Sequence, residues 1–358
     1  MMKRYIALFL LTLIWSCNTP ETLQKPEPGK IPVKVVVLAM FELGEATGDR
    51  PGEFQYWAER LPLDSVIAFP QGFRDLRYNA EKGVLGMVTG IGTARAAASV
   101  MALGLDDRFD LSNAYWLVAG IAGVDPKDAS AGSAAWAEWV VDGDLSHEID
   151  AREIPGEWET GYVPLRSATP YEQPLPEDNE GAVYQLNPGL VEWAYQLTKD
   201  TKLVDNEDVA NLRALYKGYP NAQKPPFVLK GDQLAAMTYW HGELMNDWAN
   251  DWTAYWTEGE GNFVTSAMED TGTLQALSFL SQADKVDLDR VMVLRTASNY
   301  TMQYEGITAA ESLSGEKLKG KGYTAFIPSL EAAYRVGSTV VNELTSNWEQ
   351  YQSEIPSR

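Results

Sequence analysis

Glu42 stands just past the apolar run 33–40 (VKVVVLAM). A carboxylate there can act as a general base or accept hydrogen bonds from hydroxyl groups, although many such side chains are solvated loop charges. Thr89 and Gly90 lead into the turn Gly90-Ile91-Gly92, between a second apolar run, 84–89, and the alanine-rich helical stretch 93–103. Strand, glycine turn and helix start, in that order, offer helix N–H groups to an anion or a hydroxyl. Gly120 and Gly123 lie in Ala119-Gly120-Ile121-Ala122-Gly123, read as a turn at the end of the apolar run 115–118. Glycine lets a ligand approach the main chain closely, and a plain tight turn has the same composition. Asp232, after Gly231, and His241, in Tyr239-Trp240-His241, are polar side chains at two further element ends. Met268 and Glu269 follow the run 263–267, and Ser298 and Asn299 follow the run 290–296. All of these are candidate ligand contacts, although a lone histidine such as His241 is often structural.

Several familiar chemistries are missing. The chain has no G-x-S-x-G elbow, no H-E-x-x-H and only one cysteine, so neither a Ser or Cys triad nor a metal site is expected. The stretch after Gly92 lacks the third glycine of a dinucleotide fingerprint, and there is no Walker A sequence.

The elements that must hold these residues are legible as runs. A chain of 358 residues, 45% hydrophobic, can bury a full core. Continuous β-branched runs read as strands buried on both faces, and they alternate with helical stretches. That pattern predicts an α/β fold with a mixed central sheet flanked by helices. Residues 134–141 read as one strand, and a helix from 329 to 351 carries an inward stripe through Ala332, Ala333, Val336, Val340 and Leu344. Trp248, Trp252 and Trp256 share one helix face, for core packing or as a cover over a flat aromatic ligand. Residues 145–225, rich in Pro, Glu and Asp, form an insertion with one clear helix at 188–199. The insertion lies either on the ligand-facing edge of the sheet or on the surface away from any site.

The amino terminus reads as an export signal. Lys3 and Arg4 precede the eleven-residue apolar stretch 5–15, too short for an ordinary membrane span. Leu13-Ile14-Trp15-Ser16-Cys17 is similar to a bacterial lipobox, with Trp15 bulky for its position, which makes Cys17 the expected lipidation site. Residues 18–32, with Pro20, Pro26, Pro28 and Gly29, read as a tether, and residues 33–358 as the folded domain. The expected product is an exported lipoprotein, periplasmic or associated with the outer membrane. A formal charge of -21 argues against a nucleic-acid polymer as partner.

Gly90-Ile91-Gly92, the stretch 119–144 and Met268-Glu269 occur in the order seen in nucleoside phosphorylases and methylthioadenosine/S-adenosylhomocysteine nucleosidases. With Tyr239-Trp240-His241-Gly242 and Ser298-Asn299, roughly residues 33–350 resemble the purine nucleoside permease family. The resemblance implies a nucleoside phosphorylase-like body and purine nucleosides as ligands, with no cofactor and with phosphate as the one candidate co-substrate. It implies that Glu269, with Met268, meets the ribose hydroxyls, and that Thr89 and Gly90 lie where relatives hold phosphate or the attacking water. Asn299 falls where the nucleosidases place an aspartate that protonates purine N7; an amide can hydrogen-bond the base but cannot deliver a proton. Glu42 is then the residue that would activate a water, and Arg50 and Arg95 are the arginines available for phosphate. Relatives assemble as dimers, trimers or hexamers, so a homo-oligomer is expected.

Past residue 17 no apolar run approaches the ~20 residues of a spanning helix. The implied function is therefore a lipid-anchored nucleoside-binding protein that supports uptake beside a separate transporter. The alternative is an enzyme that cleaves the N-glycosidic bond by phosphorolysis or hydrolysis.

Overall fold

Val- and Leu-rich runs supply the centre of the molecule. The computed structural model describes residues 29–318 and 323–357, so Cys17, the signal segment and most of the tether lie outside the described residues. One twelve-stranded mixed sheet dominates it. Its strands are β1 (Val35–Ala39), β2 (Ser65–Ile67), β3 (Leu76–Asn79), β4 (Val84–Val88), β5 (Tyr115–Val124) and β6 (Ala134–Ala137). They continue with β7 (Trp139–Asp142), β8 (Val183–Gln185), β9 (Val228–Lys230), β10 (Asp232–Ala235), β11 (Phe263–Ala267) and β12 (Val291–Tyr300). The helices are α1 (Gln55–Arg60), α2 (Thr93–Gly104), α3 (Pro188–Thr198), α4 (Glu207–Arg213), α5 (Glu243–Trp256), α6 (Asp270–Gln282), α7 (Ala309–Leu318), α8 (Phe326–Ser346) and α9 (Trp348–Tyr351).

β5 is the hub. Its first half runs parallel to β1, with Val35 opposite Tyr115, and its whole length runs parallel to β12. Its last residues pair antiparallel with β11. β12 also pairs with β6, which continues past Glu138 into β7; β7 pairs with β10, and β10 with β11. These pairings return to β5 and close a ring of strands. The strands that cross β5 in parallel end on the same edge, where open α/β sheets gather their ligand contacts. Helix α8 covers β5 and β12, and α2 packs against α6.

The elements differ from the sequence reading in instructive places. The Ala119–Gly123 segment is no turn, because β5 runs straight through it. A Cβ on Gly120 would stand 2.6 Å from the Arg295 guanidinium and 2.7 Å from the Glu53 carboxylate. The glycine is there for side chains that approach from far along the chain. The run 134–141 is two strands, broken at Glu138, where the carboxylate of Asp232 accepts from the backbone N–H groups of Glu138 and Trp139. Ile31 and Pro32, inside the stretch read as tether, pair with Phe109 and Asp110. The last helix starts earlier than expected and stops at Ser346, with the short α9 after it.

The tryptophan stripe is core. Trp252 is fully buried, Trp248 and Trp256 nearly so, and together with Trp240 they pack on Val141, Leu234 and Phe263. The Trp252 indole N–H is satisfied by the Asp142 carbonyl at 2.8 Å, as a buried indole requires. Within the insertion, Ser146–Glu148 and Tyr162–Pro164 make a small antiparallel sheet, with the Tyr162 ring 4.6 Å from that of Trp248.

Candidate functional site

Where β1, β5 and β12 come together, four charged side chains are buried side by side. Glu53, just ahead of α1, accepts from Met40 N–H at the end of β1 and from Ile121 N–H in β5, both at 2.7 Å. Arg295 projects from the middle of β12. Its guanidinium holds Asp270 through two bonds of 3.0 and 2.8 Å, reaches Glu269 at 3.3 Å and donates to the Ile121 carbonyl. Arg295 is 1% exposed and Asp270 0%. One buried cation thus faces three carboxyl groups, an arrangement that cannot stay fully ionised without cost. Burial pushes the Glu53 carboxyl up to about 7; Arg295 opposes the shift, and the neighbouring Glu269 adds to it. Burial also raises Glu269, again against the pull of Arg295. Burial thus shifts both Glu53 and Glu269 toward their protonated forms.

Glu269 joins the cluster to the glycine turn. One carboxylate oxygen accepts from Gly92 N–H at 3.0 Å, and the other lies against Arg295 and the Met268 N–H. Gly90 and Gly92 have φ of 88° and 95°, a region that favours glycine. The Thr93 hydroxyl adds a bond to the Met268 carbonyl at 2.9 Å. Glu269 thus engages the N–H of Gly92, just ahead of α2, while the Thr93 N–H at the helix start lies 3.0 Å from the Met237 sulfur. Thr89 is buried, with its hydroxyl on the Gly90 carbonyl.

Beside Met268 lies a small cavity of about 30 Å³ lined by Asn299, Tyr239, Ser266, Thr238 and Trp240. The Asn299 amide is held at both ends. Its Nδ2 donates to the Tyr239 hydroxyl at 2.9 Å and to the Tyr300 carbonyl at 3.1 Å, and its Oδ1 accepts from the Ser298 hydroxyl at 2.8 Å. A carbonyl can only accept, so Tyr300 fixes which end of the amide is nitrogen. The Tyr239 phenol accepts from that nitrogen. Its ring lies parallel to that of Tyr323, 5° apart in plane.

Met268, Glu269, Asn299 and the Gly90 turn are thus gathered along one edge. The other candidates sit elsewhere. Glu42 is buried, and its two oxygens accept from the N–H groups of Leu43, Gly52, Phe54 and Gln55, which clamps the loop before α1. Its lone pairs are committed to the backbone. Asp232 pins the β6–β7 bend and also accepts from Asn262 N–H at 2.6 Å. Gly120 makes room for Arg295 and Glu53. His241 Nε2 pairs with the Ser312 hydroxyl at 3.0 Å. Arg50 and Arg95 lie over the Phe326 and Phe73 rings.

The side chains that the sequence reading passed over are Glu53, Asp270, Arg295 and Tyr239. Arg295 carries a usable signal: an arginine amid a run of β-branched and aliphatic residues must find a carboxylate or destabilise the strand. Glu53 carries none, since nothing in sequence separates it from Glu42, Glu45 or Asp49.

Comparison with known proteins adds a family. Residues 32–356 match the family described as purine nucleoside permease (NUP). A probable purine nucleoside permease of Schizosaccharomyces pombe is 30% identical over 322 residues, covering 88% of this chain and 90% of its own. A purine nucleoside permease of Candida albicans is 28% identical over 329 residues, covering 89% of this chain and 77% of the relative. Among solved structures, futalosine hydrolase of Helicobacter pylori superposes with a TM-score of 0.50 at 16% identity, covering 87% of this chain and 98% of that one. That likeness is one of fold, and it agrees with the expected nucleoside phosphorylase-like body.

Proposed function

The chain belongs to the purine nucleoside permease family, and from that premise we propose that it binds purine nucleosides and supports their uptake, tethered to a membrane by lipid on Cys17. The observation that carries this reading is the edge on which Asn299, Tyr239 and Met268 line one cavity while Glu269, the next residue, stands beside the glycine turn. What stays open is one Oδ1 lone pair of Asn299, which can accept from a base, and one lone pair of the Glu269 carboxylate, which can accept from a ribose hydroxyl. At about 30 Å³ the cavity has room for roughly two waters. Among the described residues no helix is long and apolar enough to cross a membrane, and the proposed role is that of a binding protein working with a separate transporter.

A second reading has its own observation. A carboxyl near 7, Glu53, is packed beside Arg295 and Glu269, and a proton held there at neutral pH is what acid–base cleavage of an N-glycosidic bond needs. Asn299, an amide, cannot deliver that proton itself. One experiment separates the two. The mature protein is incubated with inosine, adenosine and guanosine, with and without phosphate, and the products are chromatographed. Binding without free base supports the first reading. Free base supports the second, and its dependence on phosphate tells phosphorolysis from hydrolysis.

A further inference from the structure

The segment between β10 and α5 forms one wall of the candidate edge, where Ala236, Thr238, Tyr239 and Trp240 line the cavity at Asn299. Met237 ties that wall down at two points. Its backbone N–H donates to the Asp144 carboxylate, and its sulfur accepts from the Thr93 N–H at the start of α2, at 3.0 Å. The sulfur fills the space that Gly92 leaves open, since a Cβ on Gly92 would stand 2.7 Å from it. Gly92 is also the residue whose N–H meets Glu269. One thioether thus joins the wall that carries Tyr239 to the turn that holds Glu269.

This contact lies at the surface. Met237 is 48% exposed, whereas Met40, Met87, Met292 and Met302 are buried and Met101, Met245 and Met268 are only partly exposed. Exposure decides which methionine an oxidant reaches first. Oxidation by a peroxide is a two-electron step. A sulfur lone pair attacks one peroxide oxygen, the S–O bond forms and the O–O bond breaks. The proton of the transferred oxygen passes to the departing hydroxide, which leaves as water. The thioether is oxidised to a sulfoxide and the peroxide is reduced. A thioether sulfur is a weak acceptor, and once it carries the oxygen it is positively polarised and no longer suits the Thr93 N–H. The new oxygen, added from the solvent side, can take over that bond only if the sulfur leaves the gap beside Gly92. We propose that Met237 is a reversible oxidation site that latches the candidate edge. As a thioether it holds the Tyr239 wall against the glycine turn, and as a sulfoxide it releases that wall and weakens ligand binding. The effect on binding rests on the nucleoside reading above, whereas the latch rests on the contacts of the sulfur.

The test treats the full chain with hydrogen peroxide and follows the gain of one oxygen at each methionine by peptide mass spectrometry. Met237 should convert ahead of Met101, Met245 and Met268. With conversion, hydrogen exchange of the Thr93 amide should speed up, and calorimetry should show inosine affinity falling about fivefold, the scale of one hydrogen bond. Methionine sulfoxide reductase should reverse both changes. Met237→Leu, which has no sulfur to oxidise there, should bind inosine equally before and after peroxide. The proposal is overturned if another methionine converts first, or if conversion leaves Thr93 exchange or inosine affinity unchanged. An equal loss of affinity in peroxide-treated Met237→Leu overturns it too. Absence of inosine binding to the untreated protein counts against the nucleoside reading instead, and the order of conversion and the Thr93 exchange then decide the latch.

Discussion

Replacing Asn299 by aspartate tests how tightly the cavity wall is specified. The Nδ2 of Asn299 sits 3.1 Å from the Tyr300 carbonyl, and Asn299 is 4% exposed. In Asn299→Asp an ionised carboxylate would place oxygen against oxygen there, losing a hydrogen bond and burying a charge. The cost is about 1–3 kcal/mol. At 1.36 kcal/mol per unit, the introduced carboxyl is held up by about one to two units from the ordinary aspartate value. Its folded pKa lies above its unfolded one, so its stabilising contribution is present in acid and is lost as pH rises through the folded value. Denaturant unfolding at pH 5 and pH 8 should therefore show the variant close to the parent in acid and about 1–3 kcal/mol less stable in base. Protonated, the same carboxyl becomes a donor beside the Tyr239 hydroxyl. The inosine-to-adenosine affinity ratio should then fall, and any base release should rise as pH falls. Equal stability deficits at the two pH values, with an unchanged inosine-to-adenosine affinity ratio, would refute the assigned amide orientation and the role in reading the base.

Other outcomes follow from the buried cluster and the terminus. Arg295→Met leaves Asp270 and Glu269 without their cation, and removing one partner of a buried pair costs roughly 3–5 kcal/mol in denaturant unfolding; a loss below 1 kcal/mol would show that the cluster is not ionised. Glu53 has a folded pKa raised from 4.5 to about 7, so its contribution to stability is full below about 4.5 and declines as pH rises to about 7. The parent protein should lose stability across that window, whereas Glu53→Gln should lose less of it; parallel pH profiles would count against the buried proton. Cys17→Ser should move the protein from the membrane fraction to the soluble one, and unchanged, unprocessed membrane association would rule out lipidation there.

The central strands were legible because their apolar runs answer only to burial: VVVLA at β1 and the first half of β5 need no partner identified to be recognised as core, whereas the short β2, β3 and β8 carry no such run. That Met268, Glu269 and Asn299 share an edge with the glycine turn was legible through the order of the motifs around them. What misled was any residue whose role is set by a distant neighbour. Gly120 looks like a turn until Arg295 and Glu53 are seen closing on it from 175 and 67 residues away. Glu42 and Asp232 are carboxylates at strand ends, as a site would have, yet each spends its lone pairs on backbone N–H groups of the chain nearby or across the sheet. Local sequence does not say whether a carboxylate faces a ligand or a loop; the hydrogen-bond partners decide it.

The central claim is that this edge binds a purine nucleoside through its sugar hydroxyls at Glu269 and its base at Asn299. Calorimetric titration of the mature protein with inosine, on the parent and on Glu269→Ala, addresses it most directly. Saturable binding to the parent is predicted, weakened in the variant by about 10- to 150-fold, the loss of roughly 1.5–3 kcal/mol for a hydrogen bond to a charged group. No saturable heat with the parent, or the same dissociation constant for both proteins, would contradict it.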